Sequence, residues 1–274
     1  MSSRQKIEGH FSCRVLMFLV GVALPLAAMA QDEDFSKITI KTEKLGANLY
    51  MLSGVGGFAG GNVGVLAGDD GVLLVDVLLE PLAPKLKAAL AAITAKPVRF
   101  VLNTHDHNDH TDGNKIFGLT ATVIAHENTR TALAATDDFD GSGKRAPKQV
   151  LPVLTYDGRL TLHLNGEEVR GFHFPAAHTN GDTVVQFVNA KVMHLGDNFF
   201  NGMYPFIGKG GSVQGMLALL DKVLADLPAG SKIIPGHGPL ASRADLAAYV
   251  TMLRETSTIV ERGLLQGKTA EQLQ

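Results

Sequence analysis

Polar and apolar positions along the chain follow two periods, every second residue or every third and fourth, after an opening apolar stretch at residues 15–26. Alternation over 38–42 predicts a half-exposed strand, and 48–53 predicts a second. Residues 62–67 and 72–78 are near-continuous apolar runs joined by Gly68-Asp69-Asp70-Gly71, a hairpin turn between strands. Leu82, Leu86, Leu90 and Ile93 fall at helical spacing and predict a helix over 81–93, with Lys85 and Lys87 outward. The β-branched and aromatic run 98–102 predicts a buried strand, 113–117 a short helix, 122–125 a strand and 127–134 a helix. Residues 136–148 carry charge, Gly and Pro but no period, which predicts a long exposed loop dividing the chain loosely into halves. In the second half, 159–164 and 167–174 alternate on either side of Asn165-Gly166, a strong hairpin signal. Residues 184–188, 192–195 and 232–234 predict further strands. Ser212 is placed to cap a helix through Asp226 that buries Met216, Leu219, Leu220 and Val223. Ser242 and Asp245 form a capping-box start for a helix to about residue 263. Thr269 reads as the start of a further helix close to the end of the sequence, the pattern of a chain that continues.

Against this apolar background, one stretch stands apart. Residues 105–110 hold three histidines and two aspartates directly after the strand 98–102. Strand ends are where ligands and catalytic groups collect in α/β proteins. Residues two apart on an extended chain share a face, so His105 and His107 can reach one ion together. Asp109 and His110 follow where the chain turns and can aim at a second point. Imidazole and carboxylate suit zinc, and also iron or manganese. Asp76 interrupts an apolar strand, where a buried carboxylate needs partners. His126, between a strand and a helix, reads as a surface or capping residue, and His163 and His173 as structural. Gly54 to Gly61 is glycine-dense and reads as a mobile hairpin or flap.

The order His105-x-His107-x-Asp109-His110, Ala177-His178-Thr179-Asn180-Gly181-Asp182, His194-Leu195-Gly196-Asp197 and Pro235-Gly236-His237-Gly238 resembles the signature of the metallo-β-lactamase superfamily. The resemblance runs from about Ile38 to the C-terminus. It implies an α/β fold, a four-layer αββα sandwich of two mixed sheets flanked by helices, with the metal site at one edge. It also implies one site of His105, His107 and His178, a second of Asp109, His110 and His237, and Asp197 bridging two Zn2+ ions. Asp109, His178 and Asp197 become the catalytic candidates, and the resemblance implies for Asp76 a scaffolding role beneath the site rather than a place on the metal. Phe58 is then a possible apolar contact on a flap beside the cleft. Zinc lowers the pKa of bound water toward about 7, so a bridging hydroxide can attack a carbonyl at neutral pH. Two zinc ions, two carboxylates and a hydroxide leave the centre net positive, which favours a carboxylate-bearing small molecule. Lys209, Asn198 and Asn201 lie after the bridging aspartate and are candidates to bind that carboxylate or an oxyanion.

Composition narrows the setting. Arg4, Lys6 and Arg14 precede the apolar stretch, and Ala28-Met29-Ala30 is a small-x-small cleavage site, so residues 1–30 read as a signal peptide and 31–274 as the metallo-β-lactamase-like domain. The expectation is a periplasmic or secreted protein with no stable membrane association after cleavage. Cys13, the single cysteine, leaves with the signal, and neither disulfides nor thiolate ligands remain. Losing Arg4, Lys6, Arg14 and Glu8 moves the formal net charge from −2 to −4, and a mildly acidic chain without a basic stripe is a poor nucleic-acid binder. Hydrophobic residues at 45% suffice for a core.

Within the resemblance, Asp197 and His110 together depart from the cysteine-containing β-lactamase subclass and look more like the thioesterase, lactonase and phosphodiesterase branches. Export points the other way, because β-lactams act in the periplasm. The expected activity is therefore zinc-dependent hydrolysis, with β-lactam ring opening ahead of lactone or thioester cleavage of the hydroxyacylglutathione hydrolase kind. An iron-dependent redox enzyme of the same fold and a zinc-binding interaction domain are the remaining readings. His107 argues against the first, since diiron relatives usually carry glutamate there. The carboxylate-rich donor set argues against the second.

Overall fold

The computed structural model describes residues 34–135 and 144–273. The expected signal at 1–30 and residues 136–143 of the expected long loop lie outside these. Two sheets carry the chain in sequence order. The first has seven strands in the order β1 (Thr39–Lys44), β2 (Leu49–Val55), β3 (Val63–Gly68), β4 (Gly71–Val75), β5 (Val98–Leu102), β6 (Thr122–His126) and β7 (Leu154–Tyr156). Its first four strands pair antiparallel and β4 to β7 pair parallel, so it is mixed. The second is ordered β12 (Lys232–Ile234), β11 (Val192–His194), β10 (Thr183–Phe187), β9 (Glu167–His173) and β8 (Arg159–Leu164). Only β11 and β12 run parallel in it.

The burial pattern explains the layering. Leu49, Met51, Leu66, Leu73, Val75, Leu102 and Ile124 of the first sheet share one core with Leu164, Val169, Val185, Phe187, Val192 and Ile234 of the second. The sheets therefore pack face to face. The outer face of the first sheet buries Val63, Val65 and Leu74 against Leu82, Leu86 and Leu90 of helix α1 (Ala83–Ile93) and its lead-in. The outer face of the second is covered by α5 (Val213–Asp226) and α6 (Arg243–Leu265). Met216, Leu219, Leu220 and Val223 are the buried stripe of α5; at roughly 2 kcal/mol per side chain their burial contributes on the order of 8 kcal/mol before entropy is subtracted. The expected αββα sandwich is the observed one. Both expected caps form: Ser212 accepts the Gly215 N–H, and Ser242 and Asp245 bond reciprocally.

Three short helices complete the half that carries the first motif: α2 (Asn108–Thr111), α3 (Asn114–Phe117) and α4 (Glu127–Ala135). Two expectations need correction. The strand 72–78 stops at Val75, because Asp76 and Leu78 adopt left-handed backbone with φ of 62° and 60°. This bend turns the chain under the histidine loop. His126 is not at the surface: it is buried, and its ring stacks on His173 with centroids 3.5 Å apart. The capping part of that reading stands, since His126 Nδ1 accepts the Asn128 N–H.

Candidate metal centre

The seven residues named from the motifs converge at one end of the sandwich, on loops that follow strands. His105 and His107 lie in the bent segment between β5 and α2, and Asp109 and His110 on the single turn of α2. His178 sits in the turn between β9 and β10, Asp197 in the 3-10 turn Gly196–Asn198 after β11, and His237 after β12. The halves meet here through a hydrogen bond from Thr183 N to Thr104 O.

The donor atoms form two groups, His105, His107, His178 and Asp197 in one, and Asp109, His110 and His237 in the other. Within each group the atoms lie within 4.8 Å of one another. Asp197 stands between the groups. Its Oδ2 lies 3.5 Å from His178 Nε2 and 3.8 Å from His105 Nε2, while its Oδ1 lies 3.0 Å from His110 Nε2 and 3.3 Å from His237 Nε2. Asp109 Oδ2 is 3.3 Å from His237 Nε2. His178 Nε2 and His107 Nδ1 face each other at 3.0 Å.

Three histidines have their orientation set by an oxygen on the far side of the ring. His110 Nδ1 meets Asp76 Oδ2 at 2.8 Å, His178 Nδ1 donates to the Phe206 carbonyl at 2.7 Å, and His105 Nδ1 donates to Thr104 Oγ1 at 3.0 Å. Thr104 Oγ1 in turn donates to Asp76 Oδ2, and Thr104 N to Asp76 Oδ1. Asp76 thus anchors two of the rings, as expected for a scaffold carboxylate. Such outer partners fix the ring orientation and aim Nε2 at the centre.

The electrostatics match. Burial pushes His105 well below the usual imidazole range and His178 down to about 4, which keeps both neutral. Burial alone would lower His110 and His237 too, but the carboxylates of Asp197 and Asp109 outweigh it. They raise His237 to about 9 and His110 well above its usual value, the latter with help from Asp76. Burial would raise Asp197, yet His110 and His237 hold it well below the carboxylate range.

Do these residues fit metal? His105 Nε2, both oxygens of Asp109 and Asp197 Oδ1 are buried without a hydrogen-bond partner. Unpaired buried polar atoms are costly, and four converging on one space are accounted for by cations between them. The all-nitrogen-and-oxygen donor set suits a divalent ion of the zinc type.

Two glycines permit this packing. A Cβ on Gly61 would sit 2.1 Å from His110 Cε1, and one on Gly236 would sit 2.0 Å from Asp197 Oδ1. Gly61→Ala is expected to displace the His110 ring and lower metal content per chain, with the far-UV circular dichroism spectrum retained; unchanged metal content in the variant would contradict this. Asp76→Ala leaves Thr104 N and His110 Nδ1 unpaired and is expected to cost on the order of 3 kcal/mol in urea unfolding.

Of the candidate substrate residues, Asn198 is committed elsewhere. It is buried, accepts the His178 N–H and donates to Leu195 O. Asn201 donates to Pro239 O. Lys209 is exposed, and its charge reaches Asp106. Phe206, which was not among the expected contacts, lies 5.8 Å from His107 and 6.0 Å from His178 by ring centroid. Phe58 stacks on His237 at 5.9 Å. Phe206 could have been noticed as an aromatic residue in the loop after Asp197, but nothing in the sequence aimed it inward.

Residues 56–237 match the family model described as the metallo-beta-lactamase superfamily. The alpha subunit of 2,4-dinitroanisole O-demethylase from Nocardioides sp. (strain JS1661) is 31% identical over 142 residues, 50% of this chain and 40% of that one. A hydroxyacylglutathione hydrolase from Polaromonas sp. (strain JS666 / ATCC BAA-500) is 26% identical over 70% of this chain and 66% of that one. The chain therefore spans less than two thirds of the length of either relative. Among solved structures, a metallo-beta-lactamase from Pontibacter korlensis superposes with TM-score 0.65 at 15% identity, over 79% of this chain and 99% of that one. The DIM-1 metallo-beta-lactamase does so with TM-score 0.63 at 18% identity, over 80% and 99%. Sandwich, donor clusters and a family match across two thirds of the sequence agree: the chain belongs to the metallo-β-lactamase superfamily.

Proposed function

We propose that this chain is an exported two-zinc hydrolase that cleaves a carbonyl–heteroatom bond, with β-lactam ring opening as its reaction. The observation that carries the two-ion reading is Asp197, one oxygen of which faces His105 and His178 while the other faces His110 and His237. His105, His107 and His178 would hold one ion and Asp109, His110 and His237 the other, with Asp197 shared. Bound zinc would supply a water acidified to near neutrality and an electrophile for the carbonyl oxygen.

The chain's own groups do the rest. Ionised Asp109, its oxygens free of hydrogen bonds, is placed to orient water at the donors. The Phe206 carbonyl and Thr104 hold His178 and His105 in register. Phe58 against His237 and Phe206 against His107 and His178 add apolar surface beside the donors and limit water around the reacting bond. A carboxylate on the substrate suits the positive centre, and Lys209 at the rim adds to that attraction.

One observation favours a second substrate class. An aspartate at 197 between the two donor groups, where it would bridge the ions with no cysteine beside it, together with the match to a hydroxyacylglutathione hydrolase, supports thioester or lactone cleavage. Purified, zinc-loaded protein should be tested on nitrocefin, a carbapenem, a homoserine lactone and S-lactoylglutathione, with and without a chelator, alongside elemental analysis. Chelator-sensitive turnover of nitrocefin or the carbapenem supports the first reading. Turnover of the lactone or thioester alone moves the assignment to the second. Bound iron with no hydrolysis overturns both.

A further inference from the structure

The one histidine of the second donor group with an open side is His237, whose side chain is 14% exposed. Its open side faces a cavity of about 260 Å³. The flap residues Gly57 to Gly60 and the turn Gly238-Pro239 wall this groove, and Lys41, Glu43, Ser53 and Val55 of β1 and β2 form its floor. The groove thus borders the donor cluster at His237, and neither Phe206 nor Lys209 lines it. Lys41 and Ser53 are register partners across the hairpin. Lys41 and Glu43, two apart on β1, point to the same side of the sheet, and Lys41 Nζ lies 2.9 Å from Glu43 Oε2.

We propose that this groove is a subsite for a zwitterionic, α-amino-acid-like head group on the substrate. Lys41 takes the carboxylate and Glu43 the ammonium. The inference rests on the hydrolase reading above and names the substrate chemistry of that site. Three features carry it. The groove starts at a donor histidine, so a ligand with its scissile bond at the donors can lay its tail along it. The volume suits one amino-acid-sized group rather than a long chain. The floor presents a cation and an anion side by side, at the separation of the two charges within an α-amino acid. Their side chains are 55% and 31% exposed. An exposed ion pair of this kind contributes little by itself, so exchanging partners with a zwitterion costs little and gains two charge-assisted contacts.

The test compares four 4-nitrophenyl esters of equal chain length: the ω-ester of 2-aminosuberic acid (zwitterionic head), the suberic acid monoester (anion only), the 8-aminooctanoic ester (cation only) and the octanoic ester (neutral). With zinc-loaded full-length chain, the zwitterionic ester should show a KM about tenfold lower than the neutral one, as expected of two partly exposed ionic contacts. Lys41→Glu or Glu43→Lys alone should collapse that ratio to near one, and the double swap should restore most of it. Circular dichroism controls for folding of β1. Binding of unesterified 2-aminosuberic acid and suberic acid is measured in parallel by calorimetry. If all four esters are hydrolysed with equal KM, the subsite is overturned and the hydrolase stands. If none is hydrolysed, the hydrolase reading fails for these esters, and calorimetry decides the groove by itself: equal affinity for the two acids, or none, overturns it.

Discussion

Asp197→Asn should remove essentially all turnover, a loss on the order of a thousandfold or more in kcat/KM, while the chain stays folded. The carboxylate is the single group whose two oxygens face both donor clusters, 3.0 Å from His110 Nε2 on one side and 3.5 Å from His178 Nε2 on the other. An amide in its place puts a hydrogen-bond donor where a cation must be approached, and it removes the charge that holds His110 and His237 above their usual range. Metal stoichiometry should fall with activity, from two ions toward one. Because Asp197 sits in a 3-10 turn rather than in either sheet, the far-UV spectrum should not change. An Asp197→Asn protein that keeps both ions and full turnover would remove this residue from the centre.

The second large effect concerns metal removal and pH. In the stripped chain, protons must do the work of the ions. His237, raised to about 9 from 6.5, is stabilising when charged. A histidine whose folded pKa is raised contributes stability that is complete below about pH 6.5 and is lost as pH rises through about 9. For His237 the linkage amounts to about 3 kcal/mol, and His110 shifts in the same direction. Chelated protein should therefore melt progressively lower between pH 6.5 and pH 9.5. Zinc-loaded protein should show a nearly flat melting temperature over that window, because cations that do not titrate replace the protons. Below pH 5 the two forms should converge, since protonation of the donor histidines expels the ions. Equal melting curves for both forms across the alkaline window would mean that the cluster is not charged in this way.

The donor residues were legible because chemistry concentrates them. Three histidines and two aspartates in residues 105–110 have no structural use that competes with a ligand role, and His178, Asp197 and His237 each stand in a short motif at a strand end. The layered fold was legible from periodicity, since α5 and the β8–β9 hairpin carry uninterrupted patterns. What escaped depends on contacts between distant segments. His126 meets His173 only because the two sheets pack, a pairing across 47 positions that no local pattern encodes. β7 is a three-residue edge strand after a proline, too short to show a period. Asn198 looked like a rim residue, yet its amide closes the turn beneath His178. The steric need for Gly61 and Gly236 arises from side chains 49 and 39 positions away, His110 and Asp197 respectively, and glycine alone signalled only a turn.

The donors are split along the chain: four come from residues 105–110 and the others from positions 178, 197 and 237. During synthesis from the N-terminus, the first group is incomplete until Asp197 has left the ribosome, and the second until His237 has. A nascent chain therefore offers no finished cage to a passing ion, and cofactor capture becomes one of the last events of maturation. It also makes the ions clasps between early and late segments, so that stretching the loaded molecule from its two ends should meet its greatest mechanical resistance where that clasp must open.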